Sequence, residues 1–232
     1  LGDLADLAGC FTIGGLGSSR VSSLQVAGAV GAGPLSGVAL SPDLVAAVGL
    51  TQGCSPLNGA RHRITKAEGG LIETLDEQPA LEVLQADLLA LPREDRERAA
   101  RRLHVALPIA GRGEGEYLVR NLVGVDPANG TIAIGDEAEP GRELIFVRRD
   151  REAAATDLRR MAVRTRKAAP TARAALYFSC VARGPNMFPG DPGELDLLRA
   201  GIGDLPLVGL FCDGEIFDGR LYGYTGVLAL LT

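Results

Sequence analysis

Between Ala172 and Val181 the chain carries a nearly uninterrupted apolar run, Ala-Arg-Ala-Ala-Leu-Tyr-Phe-Ser-Cys-Val. A strand with so little polar face has to be covered on both sides, which places it at the centre of a sheet. A second apolar strand follows at Leu205–Phe211. Each of the two ends in a small, polar, glycine-containing turn, Cys180–Asn186 and Cys212–Glu215. Strand ends with a few distinctive polar groups are where pockets are built.

Upstream, short apolar runs alternate with turn residues. Cys10–Gly15, Ser23–Val30, Ser36–Leu40 and Leu44–Thr51 read as strands, and Arg61–Glu68 with Leu71–Leu75 as a hairpin around Gly69-Gly70. Leu1–Ala8 reads as the last turns of a helix. A helix opens at Pro79-Ala80-Leu81, with Asp76 as its capping or pre-capping residue, and a charged helix follows at Glu94–Arg102. Strands are expected at His104–Ile109, Tyr117–Val125, Thr131–Ile134 and Leu144–Arg148. Asp150 caps a long amphipathic helix to Lys167, with Ala154, Leu158, Met161 and Val163 as its apolar positions. Pro192–Ala200 is a short helix, and Leu221–Leu231 closes the chain as a strand.

One order of elements occurs twice. A helix, a strand with Ile13-Gly14-Gly15, a turn and Gly37-Val38-Ala39-Leu40 echo the helix at Glu194–Ala200, Val208-Gly209-Leu210, a turn and Gly226-Val227-Leu228-Ala229. The expected fold is therefore α+β. It has two related units, residues 1–91 and 92–232, each with a largely antiparallel sheet and flanking helices, in a layered αββα arrangement. On this reading the first copy lacks its front half, and Leu1 is not a natural start.

Composition narrows the functional classes. With 46% hydrophobic and 23% charged residues the chain is a soluble globular protein, and a net charge of −5 excludes a sequence-independent grip on nucleic acid. The uncharged stretch from Val21 to Pro42 holds four glycines, four serines and Pro34 before its final proline, so it is no spanning helix. The 4 cysteines, Cys10, Cys54, Cys180 and Cys212, form no Cys-x-x-Cys pair and read as buried thiols of a reducing cytosol. His62 and His104 lie in no motif that links them to a cysteine, and no ligand spacing for a metal exists. Gly14–Ser19 and Gly111–Gly115 match neither a dinucleotide-binding nor a Walker loop.

Arg183, just past the central strand and its terminal Cys180, offers a rigid fork for a carboxylate or phosphate. Asn186 adds an amide, and Glu215 at the next strand's end can receive an amine. Together they suit a small zwitterionic ligand, with Gln52 and Cys54 lining the cleft from the other unit. The plainer alternative is that Arg183 and Glu215 pair with each other or cap backbone.

Several of these residues also carry a family likeness. Ser179-Cys180-x-x-Arg183-Gly184-x-x-Met187-Phe188, Gly209-x-x-x-x-Gly214-Glu215-Ile216 and Tyr224-Thr225-Gly226-Val227-Leu228 resemble the C-terminal half of the FIST family, the sensory domains of F-box and intracellular signal transduction proteins. Ile13-Gly14-Gly15, Ser36–Leu40, Gln52-Gly53-Cys54-x-Pro56 and Leu75-x-x-x-Pro79-Ala80-Leu81 resemble the back half of its N-terminal unit. Pro189 stands where the resemblance leads one to expect glycine. The resemblance implies a cytoplasmic, bacterial ligand-sensing module for amino acids or similar metabolites. A signalling partner protein would supply the output, and no cofactor and no catalytic residues are implied. The rival readings are a protein-interaction module without a ligand and a hydrolase using Cys180 or Cys212 as nucleophile, for which thiol reactivity discriminates.

Overall fold

The computed structural model describes residues 9–17, 22, 24–33, 35–41, 43–109, 111 and 116–232. The expected helix at Leu1–Ala8, the end of the Gly14–Ser19 turn and most of Gly111–Gly115 lie outside the described residues. The chain forms two compact units, one discontinuous in sequence, Leu1–Gln52 with Ala154–Thr232, and one continuous, Gly53–Ala153.

The first unit begins with β1 (Ile13–Gly15), the hairpin β2 (Leu24–Ala27) and β3 (Ala29–Ala32), and β4 (Ala46–Gln52). Ser36–Leu40, expected as a strand, has no regular structure, and Val38 is exposed. Its short apolar run finds no ladder partner among the described residues, so hydropathy alone was not enough to make it a strand.

The second unit follows with β5 (Cys54–Pro56), β6 (His62–Glu68), β7 (Leu71–Leu75) and β8 (Gln78–Pro79). Two helices, α1 (Ala80–Ala90) and α2 (Arg93–Ala100), lead to β9 (Leu103–Pro108), β10 (Tyr117–Asp126), β11 (Thr131–Ile134) and β12 (Glu143–Arg149). The boundary expected at residue 91 falls between α1 and α2. Strands run in the order β11-β10-β9-β12-β6-β7, and β11 also pairs with β7, so the sheet closes into an antiparallel six-stranded barrel. Closure leaves these strands without open edges. Ile64, Ile72, Val105, Leu107, Ile132 and Phe146 fill it, joined by Leu81 and Leu84 of α1. Each such side chain contributes about 1.5–3 kcal/mol by leaving water.

Asp76 does not cap α1. It sits at the end of β7 in a left-handed conformation (φ 52°), where its carboxylate accepts the Arg63 amide (2.8 Å) and meets His62 Nδ1 (2.7 Å). Asp87, on the buried face of α1, meets His62 Nε2 at 3.1 Å. One imidazole is thus held between two carboxylates.

The chain returns to the first unit along α3 (Arg151–Ala168), and Asp150 accepts the Glu152 and Ala153 amides at 3.0 Å as the expected cap. Ala154, Leu158, Met161 and Thr165 form its buried face. Val163 is 44% exposed, a correction to the expected apolar set, because it lies about 200° around the helix from Met161. Then come β13 (Ala174–Cys180), the single turn α4 (Gly184–Met187), α5 (Glu194–Ile202), β14 (Leu207–Cys212), β15 (Glu215–Phe217), β16 (Arg220–Tyr222) and β17 (Thr225–Leu231). The expected closing strand divides at Tyr224, whose φ is 62°.

The main sheet runs β14-β13-β17-β4. As its apolar run requires, β13 is central, parallel to β14 and antiparallel to β17. The parallel pair needs a crossover, and α5 supplies it. β17 pairs along its whole length with β4, from Thr225↔Gln52 to Leu231↔Ala46. The class is α+β, as expected. No described helix is long and apolar enough to cross a membrane.

Candidate functional site

The first unit's β13-α5-β14 crossover directs two strand ends and a helix start toward one place, and ligands in such sheets bind beyond the carboxyl ends of the strands. Tyr177 and Ser179, two residues apart on β13, point to one face. Both reach the first residue of α5. Tyr177 Oη donates to Glu194 Oε1 and Ser179 Oγ to Glu194 Oε2, each at 2.8 Å. Arg183 Nε donates to Oε1 (2.6 Å) and the Gly184 amide to Oε2 (3.1 Å). The buried carboxylate therefore accepts four hydrogen bonds, one of them from a charged donor.

Arg183 is fully buried, and its Nη1 and Nη2 have no hydrogen-bond partner. Burial works against its charge, but the Tyr177 and Glu194 oxygens outweigh that and hold the guanidinium protonated. Burial, with the charge of Glu194 opposing ionisation, pushes the Tyr177 phenol far up. The guanidinium lies 5.3 Å from the centre of the Phe188 ring. Gly184 has φ +47°, and a Cβ there would meet the Phe211 ring at 2.8 Å, so the turn after β13 needs glycine both for conformation and for room.

A second buried carboxylate lies at the β14–β15 turn. Glu215 Oε2 accepts from the Thr225 amide (3.2 Å) and hydroxyl (2.7 Å), whereas Oε1 has no hydrogen-bond partner. Burial raises its pKa to about 7, against the pull of Thr225 and Arg183. Cys180 and Cys212 are register partners on β13 and β14. Burial and then the charge of Glu215 raise both thiols, Cys212 to about 12, so neither is a ready thiolate.

The residues expected at the site distribute unevenly. Arg183, Cys180 and Glu215 share one neighbourhood, and Arg183 acts electrostatically on both of the others. Arg183 and Glu215 do not satisfy each other: the first pairs with Glu194, the second with Thr225. Asn186 is exposed and its amide donates to the Val181 carbonyl (3.1 Å). Gln52 is the register partner of Thr225, and its backbone N–H donates to the Asp157 carboxylate (2.8 Å). Cys54 belongs to the second unit, where its carbonyl accepts from Tyr117 Oη (2.8 Å). The sequence reading missed Glu194, Tyr177 and Ser179. The signal was present: two polar groups inside an otherwise apolar central strand need a buried partner.

Beside this network opens a cleft of about 510 Å³. Phe188, Leu207, Leu210 and Phe211 form its apolar wall, with Tyr177, Ser179 and Glu194 on its polar side. Its volume is in the range of small-molecule sites. Among the described residues no group of three or more His, Cys, Asp or Glu could hold a metal ion.

Comparison with known proteins finds two family domains along the chain. The FIST N domain matches residues 2–78 and the FIST C domain residues 80–218. Uncharacterised proteins of Mycobacterium tuberculosis and Mycobacterium bovis are 33% identical over 190 residues, which covers 78% of this chain and 49% of theirs. The chain thus spans about half the length of these relatives. No solved structure matches it. Since the two domain models between them account for every residue from 2 to 218 except Pro79, the chain belongs to the FIST family.

Proposed function

We propose that this chain is a cytoplasmic sensor that binds a small metabolite, such as an amino acid, at the carboxyl ends of β13 and β14, and passes the signal to a partner protein. FIST domains are sensory domains of signal transduction proteins. The observation that carries the finer reading is the fully buried Arg183, with two unpartnered guanidinium nitrogens behind the wall of a 510 Å³ cleft. A carboxylate or phosphate fits that fork. Glu215 Oε1, also unpartnered, would take an ammonium group. The reading is of a binding domain rather than an enzyme, since both thiols of the neighbourhood have raised pKa values.

A thermal-shift screen against amino acids, short carboxylates and nucleotides tests it. A ligand that prefers the native state adds about 2.7 kcal/mol at a hundredfold excess over its Kd. A shift confined to one chemical class supports the sensor; a sharp transition that no compound moves contradicts it.

One observation favours a second reading, a protein-interaction module. β14 is a sheet edge among the described residues, and its Val208, Leu210 and Phe211 are 70%, 49% and 53% exposed. Uncharged apolar edges invite strand pairing. Light scattering that finds a monomer at 100 µM (~100-fold above a micromolar Kd) argues against self-association through this edge.

A further inference from the structure

We infer that the solvent face of α3 is the surface on which this chain docks an acidic, amphipathic segment of a partner protein. The inference rests on the sensory reading above for what that contact serves.

The face follows from where the cations fall. The chain as a whole is acidic, with 29 Asp and Glu against 24 Lys and Arg. Yet Arg159, Arg160, Arg164 and Lys167 all lie exposed on α3. At about 100° per residue they occupy roughly 140° of the helix surface, opposite the buried Leu158, Met161 and Thr165, and span ~12 Å of its length. The exposed Val163 stands among them.

The fold itself makes little use of these charges. Arg160 shares the Asp157 carboxylate with the Thr51 hydroxyl and the Gln52 backbone N–H. Arg159, Arg164 and Lys167 form no ion pair among the described residues, whereas Arg98 and Arg101, in and just after α2, are paired with Asp95 and Glu97. The helix dipole favours cations in the last turn, which accounts for Lys167 but not for Arg159. Arg160 with Arg164, and Arg164 with Lys167, are like-charge neighbours one turn apart, an arrangement that weakens a helix.

The partner's chemistry is the complement of this face. Carboxylates repeated along about two to three helical turns meet the cations, and an apolar side chain among them covers Val163. A nucleic acid duplex or an anionic bilayer extends far beyond ~12 Å and would meet the remaining negative charge of the chain. The face also has no aromatic side chain for base stacking or for insertion into a bilayer. Its position suits a reporter of the cleft. A Cβ on Gly201 of α5 would stand 2.6 Å from the Cβ of Ala162, so α3 touches the helix whose first residue is Glu194.

Fluorescence anisotropy with a labelled peptide of about twelve residues (~18 Å as a helix), half of them Glu and with Leu on one face, tests this on the whole chain. Expected is saturable binding that weakens at least tenfold as salt rises from about 0.1 to 1 M and the Debye length falls from ~10 to ~3 Å. Arg159→Gln, Arg164→Gln and Lys167→Gln together should weaken it about tenfold, with an unchanged circular dichroism spectrum. Arg159→Lys with Arg164→Lys should keep it, and so should Arg98→Gln with Arg101→Gln on α2. No binding, equal binding of the same peptide with Lys for Glu, or a triple variant that binds as well as the parent overturns the inference. Tighter binding of a single-stranded oligonucleotide or of phosphatidylserine vesicles through the same three residues overturns the choice of an acidic protein. The assay needs no metabolite. If the peptide fails and the screen above finds a ligand, this inference alone falls; if the peptide binds as expected and the screen is flat, the sensory reading alone falls.

Discussion

Replacing Glu194 by glutamine removes one oxygen's worth of acceptor and one charge from the first unit's polar centre. The carboxylate receives Tyr177 Oη, Ser179 Oγ, Arg183 Nε and the Gly184 amide. Every one is a donor, so an amide NH2 placed toward either pair of them faces two N–H or O–H groups rather than acceptors. The heavier loss is electrostatic: Arg183, fully buried, keeps its charge and loses its counter-ion. Removing one partner of a buried pair costs about 3–5 kcal/mol. Tyr177→Phe and Ser179→Ala each delete one hydrogen bond to a charged group, worth about 1.5–3 kcal/mol. Both should therefore cost less than Glu194→Gln. The chain has no tryptophan, so urea unfolding is best followed by far-UV circular dichroism, with amide exchange on β13 to localise the effect. A Glu194→Gln loss below about 1 kcal/mol, or one smaller than that of Ser179→Ala, would refute the reasoning that this carboxylate organises the site.

Three further outcomes are expected. Burial acts to lower the pKa of His62, but the hydrogen bonds and charges of Asp76 and Asp87 win and raise it. Its stabilisation is then full below about pH 6.5 and is lost as pH rises through the folded value, so the second unit should be more stable at pH 6 than at pH 8.5 and His62→Gln should remove that difference. Glu215, raised from 4.5 to about 7, binds more protons in the folded than in the unfolded chain. Stability of the first unit should therefore fall between these values, by up to about 3 kcal/mol, and level off above them. Glu215→Gln should match the protein at pH 4.5 and exceed it at pH 8; an identical pH profile would contradict the burial argument. Iodoacetamide at pH 7.5 should alkylate exposed Cys10 first and Cys180 and Cys212 far more slowly. Rapid modification of Cys180 or Cys212 at pH 6 would revive the hydrolase reading.

What could be read in advance was what short-range pattern dictates. The central place of β13 followed from its apolar run, the β6–β7 hairpin from Gly69-Gly70, and the α3 cap from Asp150. What escaped depends on partners far away in sequence. Barrel closure rests on β11 meeting β7 some sixty residues away, which no local window of either strand can announce. Asp87 looks like an ordinary charge in an amphipathic helix until His62 is placed against it. Arg183 was legible because an arginine directly after a central strand is conspicuous, but its partner Glu194 could not be found without the crossover that puts α5 over the strand end. Ser36–Leu40 shows the converse: an apolar run with no partner strand remains irregular.

The most direct test of the sensory site is hydrogen–deuterium exchange with and without the ligand class found by the thermal screen. The account predicts that protection gathers in peptides covering Tyr177–Phe188, Glu194–Leu198 and Leu207–Glu215, with the barrel strands unchanged. Protection confined to the second unit, or spread evenly with no gain at these segments, would contradict a site built on Arg183 and the β13–β14 ends.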